Sequence, residues 1–314
     1  LGAAIARVPF NVSLPVAPVI TSEVVSRTEA EIIASLRVNG RRTIIAPGSY
    51  RFDSITVGGN NKHIVFQPGA TFTLGVLYFV NASAVALENA SLSTSGPHGL
   101  RIIDSQDLRF ERLAFNGADA GFNLSGSSRL LFLSSSVTGY AHAGWIDAGN
   151  NNLVMANSEF ISNQPWGGIN GWSVRWAGNG TPNTVAMDSR FRAVQNVVLR
   201  YEESQANGYF ARNQIEGNNP FRTEGRDGGT PGAWPLNNLH FIDNHLYPLS
   251  GGNGGVIVSS YPRMTNVTVT GNRTVGPSST TNVGFPSGQP TWNLSGNGHI
   301  VTNAYQAPPV WQIR

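Results

Sequence analysis

The triplets Val85-Ala86-Leu87, Leu108-Arg109-Phe110, Leu130-Leu131-Phe132, Leu153-Val154-Met155, Thr184-Val185-Ala186, Gly208-Tyr209-Phe210, Leu239-His240-Phe241 and Val267-Thr268-Val269 read as copies of one strand. Five residues after each triplet comes another position, apolar in all but the last: Leu92, Phe115, Val137, Phe160, Phe191, Ile215, Leu246 and Thr274. A polar turn residue precedes most copies: Asp107, Asn152, Asn183, Asn207, Asn238 and Asn266. A period of about 20 to 30 residues signals stacked units, each burying its apolar face on its neighbours. The outward residues of these triplets, among them Arg109, Val154, His240 and Thr268, form no coherent row in this reading.

The steps between copies measure the coils. From 85 to 108, 130 and 153 they are 23, 22 and 23 residues, and from there to 184, 208, 239 and 267 they are 31, 24, 31 and 28. The extra residues enter as long turns near 164–182, 218–237 and 247–265. Long turns on stacked coils build a wall along one side, and in solenoids such walls often carry the binding face.

Composition suits a turn-dense β protein. The chain has 314 residues, 36 Gly, 18 Pro, 40% hydrophobic and only 12% charged residues. Net charge is +3, and the positive charge is arginine except for Lys62. No basic run suggests nucleic acid, and no apolar stretch has the length of a membrane helix. Without Cys there is neither disulfide nor thiolate metal site. P-loop, dinucleotide, HExxH, GxSxG and EF-hand patterns are not evident.

Residues 1–27 read as an extended lead-in. Thr28-Glu29-Ala30-Glu31 is a capping-box pattern, and Ile32, Ile33 and Leu36 follow at helical spacing, so 28–40 is expected to form a capping helix over the first coil. Coils then run over 41–276, and 277–314 is expected to pack back on the last one. A helix, a strand running into Ala46-Pro47-Gly48-Ser49-Tyr50, then His63-Ile64-Val65-Phe66-Gln67-Pro68-Gly69-Ala70, then Asn-punctuated coils, resembles the opening of pectin-lyase-like right-handed parallel β-helix proteins. The resemblance spans about residues 28–300 and is architectural. It implies an all-β, single-domain right-handed parallel β-helix with an N-terminal capping α-helix, secreted or at the cell surface with any signal peptide removed.

A second strand should precede the triplet in each coil. Aligning Gly99-Leu100-Arg101, Gly121-Phe122-Asn123, Gly144-Trp145-Ile146 and Gly171-Trp172-Ser173 turns Leu100, Phe122, Trp145, Trp172, Val197 and Phe221 inward. Alternation then turns outward Arg101, Asn123, Ile146, Ser173, Arg175, Val198, Arg200, Glu202, Arg222, Glu224 and Arg226, with Asp147 inward. A slip of one residue in 196–202 would turn Arg200 inward. The charged members cluster on three consecutive coils, beside turns carrying Trp166, Trp176, Asp227 and Trp234, with His142 in a turn before its strand. Guanidinium groups take carboxylates, and aromatic faces stack on sugars.

This pattern points to a lyase cleaving an acidic, uronate-containing polysaccharide by β-elimination. The expected catalytic residues are Arg200, Arg175, Glu202 and Glu224. The expected substrate-binding residues are Arg222, Arg226, Asn123, Ser173, His142, Trp166, Trp176 and Trp234. The resemblance implies an Arg or Lys base and a Ca²⁺ or Arg neutraliser, and Lys62 lies far from this row, so Arg200 is the central candidate. Glu202, Glu224 and Asp227 would supply oxygens for Ca²⁺. Two other readings stand beside it: a glycoside hydrolase using Glu202 and Glu224, and a non-catalytic carbohydrate-binding or tailspike-like β-helix.

Overall fold

The computed structural model describes residues 1–117, 119–163, 172–177, 183–194, 197–202, 205–217, 219–224, 236–249, 257–259, 264–277 and 293–302. Residues 164–171, 178–182, 225–235 and 250–256, the bulk of the three long turns, lie outside them. All described strand pairs are parallel, and the coils form a solenoid of about nine turns. Each coil contributes a leading, a middle and a trailing strand.

The triplets are the middle strands. Their register runs Val85, Leu108, Leu130, Leu153, Thr184, Gly208, Leu239, Val267 without a slip. The trailing strands align Leu92, Phe115, Val137, Phe160, Phe191, Ile215, Leu246 and Thr274. Repeated side chains therefore stack along the axis, as in Phe110 on Phe132 at 4.9 Å and Phe210 on Phe241 at 5.0 Å. Each polar turn residue adopts a left-handed conformation, with φ of 57° at Asp107, 55° at Asn152 and 62° at Asn183. Asn and Asp tolerate that region better than other non-glycine residues, which is why they punctuate the repeat.

The corner after the middle strand carries a side-chain ladder. The backbone N–H of Ser135 donates to Ser158 Oγ, Ser158 to Ser189 Oγ, and Ser189 to Asn213 Oδ1, all at 3.0–3.1 Å. Asn213, Asn244 and Asn272 continue it, each N–H donating to the next asparagine's Oδ1 at 3.0 Å.

Helix α1 (Gly2–Ile5) interrupts the expected extended lead-in, and residues Ser22–Ser26 pair with Arg41–Ile45 as the first rung. Helix α2 (Glu29–Leu36) starts at the capping box and buries Ile32 and Leu36 over the open end of the core. At the other end, Asn293–Ser295 and Gly298–Val301 add further rungs, so part of the tail extends the stack. No helix among the described residues is long and apolar enough to cross a membrane.

The outward residues of the middle strands do form a row, contrary to the sequence reading. Leu131, Val154, Val185 and Tyr209 are register neighbours and make an apolar strip. Ala4, Ile5, Val8, Phe10, Val12 and Leu14 cover it. Beyond this strip, the N–H groups of Ser13, Val16 and Val19 donate to Asn152, Asp107 and Asn61 on alternate coils. The row was missed because Arg109, His240 and Thr268, at its ends, are polar.

Lys62 is only 2% exposed, and its Nζ has no hydrogen-bond partner. It occupies an inward position between Arg41 and Val85, and burial, then Arg41, lower its pKa. Lys62→Met should therefore raise Tm, by the equivalent of about 1–3 kcal/mol. A lowered pKa means the unfolded chain holds the proton more tightly, so wild-type stability rises with pH through that range. The advantage of Lys62→Met should be largest at neutral pH and shrink toward the ordinary lysine value, as read by thermal unfolding across alkaline pH. By contrast, Asn244→Ala strips the acceptor from Asn213 N–H and the donors to Phe210 O and Asn272 Oδ1. It should cost roughly 3 kcal/mol in denaturant unfolding.

Candidate functional site

The leading strands bring Tyr78, Arg101, Asn123, Trp145, Arg175, Arg200 and Arg222 into one register row. Leu100, Phe122, Val174, Leu199 and Phe221 lie one position earlier and are core residues, so the row faces outward. Arg175 and Arg200 are direct partners on adjacent rungs, about 4.8 Å apart. Positions Glu202 and Glu224 are also register partners. The side chains of Glu202, Arg222 and Glu224 lie outside the described residues, as do Trp166, Arg226, Asp227 and Trp234.

Two of the aligned strands are displaced from the sequence reading, by one residue in the strand of Trp145 and by two in that of Trp172. Gly144 pairs with Phe122, not with Gly121. The Phe122 ring fills the space where a Gly144 side chain would be, so glycine itself holds the inward slot. Trp145 therefore faces outward, Ile146 is core, and Asp147 joins the outer face. The two-residue displacement in the next rung leaves its faces unchanged. Val174 and Trp176 are inward, and Trp176 is fully buried with its edge on Phe210, so it meets no sugar. Ser173 is buried, and its hydroxyl donates to Phe160 O at 2.7 Å rather than toward a groove. Val198, expected outward, is core. His142 opens a strand rather than sitting in a turn, and is only 2% exposed.

Trp145 and Trp172 organise the outer face. The Arg175 guanidinium carbon lies 4.3 Å from the Trp145 ring centroid and 4.8 Å from that of Trp172. Arg200 lies 4.4 Å from Trp172. Each such contact is worth about 0.5–2 kcal/mol and restrains the guanidinium over the ring. Trp172 is 3% exposed and stacks on His142 at 4.6 Å, so its ring serves the arginines and not a ligand. Trp145 Nε1 donates to Asp147 Oδ1 at 2.9 Å, and Asn123 Nδ2 donates to Asp147 Oδ2 at 3.1 Å. Both carboxylate oxygens of Asp147 are thus engaged, which fixes Asn123 and the indole. At the other end of the row, Arg101 lies 5.9 Å from the Tyr78 ring.

Two imidazoles lie along the same face. His98 and His142 are each register partners of Ala120, whose methyl group separates them. The His98 ring meets Trp145 edge-on at 6.3 Å, and that of His142 does so at 5.4 Å. Burial, then Arg175, Arg200 and His98, push the His142 pKa down to about 3, against an opposing backbone hydrogen bond at Ala141. His98 is lowered by burial and Arg101, with Asp119 and Asp147 opposing. Both are neutral at pH 7. Among the described residues no group of three or more His, Asp or Glu is arranged to hold a metal ion.

The sequence reading missed Trp145, Trp172, Asp147 and His98 as members of the site. Two histidines two coil lengths apart were the available signal. His142 yields a testable pH dependence. Between about 6.5 and about 3 the unfolded chain carries a proton that the folded chain refuses. Wild-type stability should therefore fall as pH drops through that window. His142→Phe keeps an aromatic ring against Trp172, and its Tm should fall less between pH 7 and acid in matched thermal scans.

No curated protein sequence matches the chain. Among solved structures, pectate lyase Pel9A aligns with TM-score 0.51 and 13% identity over 92% of this chain and 80% of its own. Pectate lyase Bsp165PelA from Bacillus sp. N165, in complex with trigalacturonate, aligns with TM-score 0.44 and 13% identity over 96% and 91%. PfbA, a surface adhesin of Streptococcus pneumoniae, aligns with TM-score 0.46 and 10% identity over 84% and 83%. At such identities the likeness concerns the fold. The family described as a right-handed β-helix region matches residues 75–273, well over half the chain and every rung of the candidate site, and the protein belongs to that family.

Proposed function

We propose that the protein cleaves an acidic, uronate-containing polysaccharide by β-elimination, along the outward row of the leading strands, outside the cell or at its surface. The observation that carries this reading is the pairing of Arg175 and Arg200 on adjacent rungs, both seated over Trp172. Adjacent guanidiniums favour a polyanion, and their planar forks suit carboxylates. A hexuronate is about as long as one rung spacing, about 4.8 Å, so a chain lying along the axis offers repeated carboxylates to repeated rungs.

In β-elimination, neutralising the C6 carboxylate acidifies the C5 proton. A base takes that proton, its electron pair forms the C4–C5 double bond, and the oxygen at C4 leaves. Arg175 and Arg200 supply carboxylate recognition. A guanidinium holds its proton too tightly to act as a base at neutral pH, so the role assigned to Arg200 is carboxylate binding.

Glycoside hydrolysis is the second reading, because Glu202 and Glu224 are register partners on adjacent rungs. Incubation with acidic polysaccharides separates the readings. Unsaturated product, seen by ultraviolet absorbance, supports elimination. Reducing ends without that absorbance support hydrolysis, and binding without either product reduces the protein to a carbohydrate-binding β-helix. Arg200→Ala should lower kcat/KM about 10- to 100-fold, the value of a charge-assisted hydrogen bond. An unchanged value would overturn this site.

A further inference from the structure

We infer that the reacting sugar sits at the Arg101 end of the row, with His98 as the base that takes the C5 proton, and that Arg175 and Arg200 anchor the chain farther along. This rests on the elimination reading and assigns its chemistry to different residues.

Spacing carries the first part. Arg101 and Arg175 are three rungs apart, about 14 Å. A uronate clamped by Arg175 and Arg200 therefore lies about three sugars from one that meets Arg101. The two arginine stations hold one chain at two separate points.

The groups around each station carry the second part. Beside Arg175 and Arg200 the nearest imidazole is His142, which is 2% exposed and stacked under Trp172. It cannot reach a substrate proton. His98 differs. It is half-buried, opens the strand that carries Arg101, and its Nδ1 makes no hydrogen bond. No carboxylate or carbonyl engages that nitrogen, and Nε2 remains as the nitrogen that can face the groove. Ala120 on the next rung presents only a methyl group, and the Trp145 ring lies against both His98 and His142. Asn123, one rung along the row from Arg101, is fixed by Asp147.

The charges facing His98 suit the role. Arg101 on its own strand and burial favour the neutral ring, while Asp119 and Asp147 oppose them. His142, across Ala120, is itself neutral at pH 7. A neutral imidazole accepts a proton at physiological pH, and the two nearby carboxylates stabilise the imidazolium that forms. Arg101 meets the C6 carboxylate. The C5 proton passes to His98, the C5–H electron pair becomes the C4–C5 double bond, and the C4–O bond breaks. The departing oxygen takes a proton from the His98 imidazolium, directly or relayed through water, which restores the neutral ring.

The test compares wild type, His98→Gln, His98→Asn and Arg200→Ala on acidic oligouronates of increasing length. Both His98 variants should lose kcat about 100-fold or more, with KM within about twofold and the acidic limb of the pH–rate profile abolished. Retained binding of long oligomers shows that the variants are folded. Arg200→Ala should raise KM for oligomers long enough to span both stations and leave the shortest ones unchanged. Wild-type kcat in either His98 variant, or an unchanged pH profile, overturns the role of His98 while the elimination reading stands. Absence of unsaturated product from the wild type overturns the elimination reading itself, and this role with it.

Discussion

Every coil must turn corners, and at the corner after the middle strand one backbone N–H per coil takes a side-chain acceptor in place of a carbonyl of the next coil. Buried without a partner, each would cost about 1–3 kcal/mol. The Ser135–Ser158–Ser189–Asn213–Asn244–Asn272 ladder answers this, because each side chain accepts from the corner N–H of the coil before it. The bond has one length and one direction, so it fixes where each coil lands on the next. Strand register downstream follows from it, and the outward row from Tyr78 to Arg222 is a row only because no rung slips. A loose corner would scatter Arg175 and Arg200 as well as cost stability.

The same regularity made the fold legible in the sequence. A triplet of fixed phase, an apolar position five residues on, and an Asn or Asp that accepts φ near +55° are local signals that recur in every coil. The outer face was less legible, because its reading depends on phase within a strand. Gly144 was aligned with Gly121 by identity, whereas packing aligns it with Phe122, whose ring takes the volume that glycine gives up. Large-to-small exchange between rungs is a property of pairs and cannot be seen in one coil. One such exchange moved Trp145, Ile146 and Asp147 to the opposite face from the one expected. Arg175 kept its outward place because Val174 falls opposite Gly144.

The arrangement of arginine and tryptophan also alters what aromatic residues mean here. Tryptophans beside charges suggested sugar-stacking platforms. Trp172 instead spends its faces on His142, Arg175 and Arg200, and Trp176 belongs to the core. Indole faces that carry guanidiniums set direction, and they leave recognition to the edges of the guanidinium fork. Arg175 and Arg200 thereby contribute to the field that keeps His142 uncharged, so the same pair of residues shapes both the groove and the titration of the ring beneath it.

The segment from Ala4 to Val19 has a consequence for how the molecule comes apart. In a solenoid each coil touches only its neighbours, so stability is roughly a sum of local terms and the ends can fray. Here one strap runs from the coil of Tyr209 to that of Asn61, with hydrogen bonds at Asn152 and Asp107 between. Coils separated by several rungs share its free energy, so loss of one weakens the others. Unfolding should be more all-or-none than a bare stack allows. Synthesis order is reversed as well: the strap is made before the coils it binds and must wait for the coil of Tyr209 and Ile242 before it can dock fully, so it finds its place after the rungs that follow it in sequence.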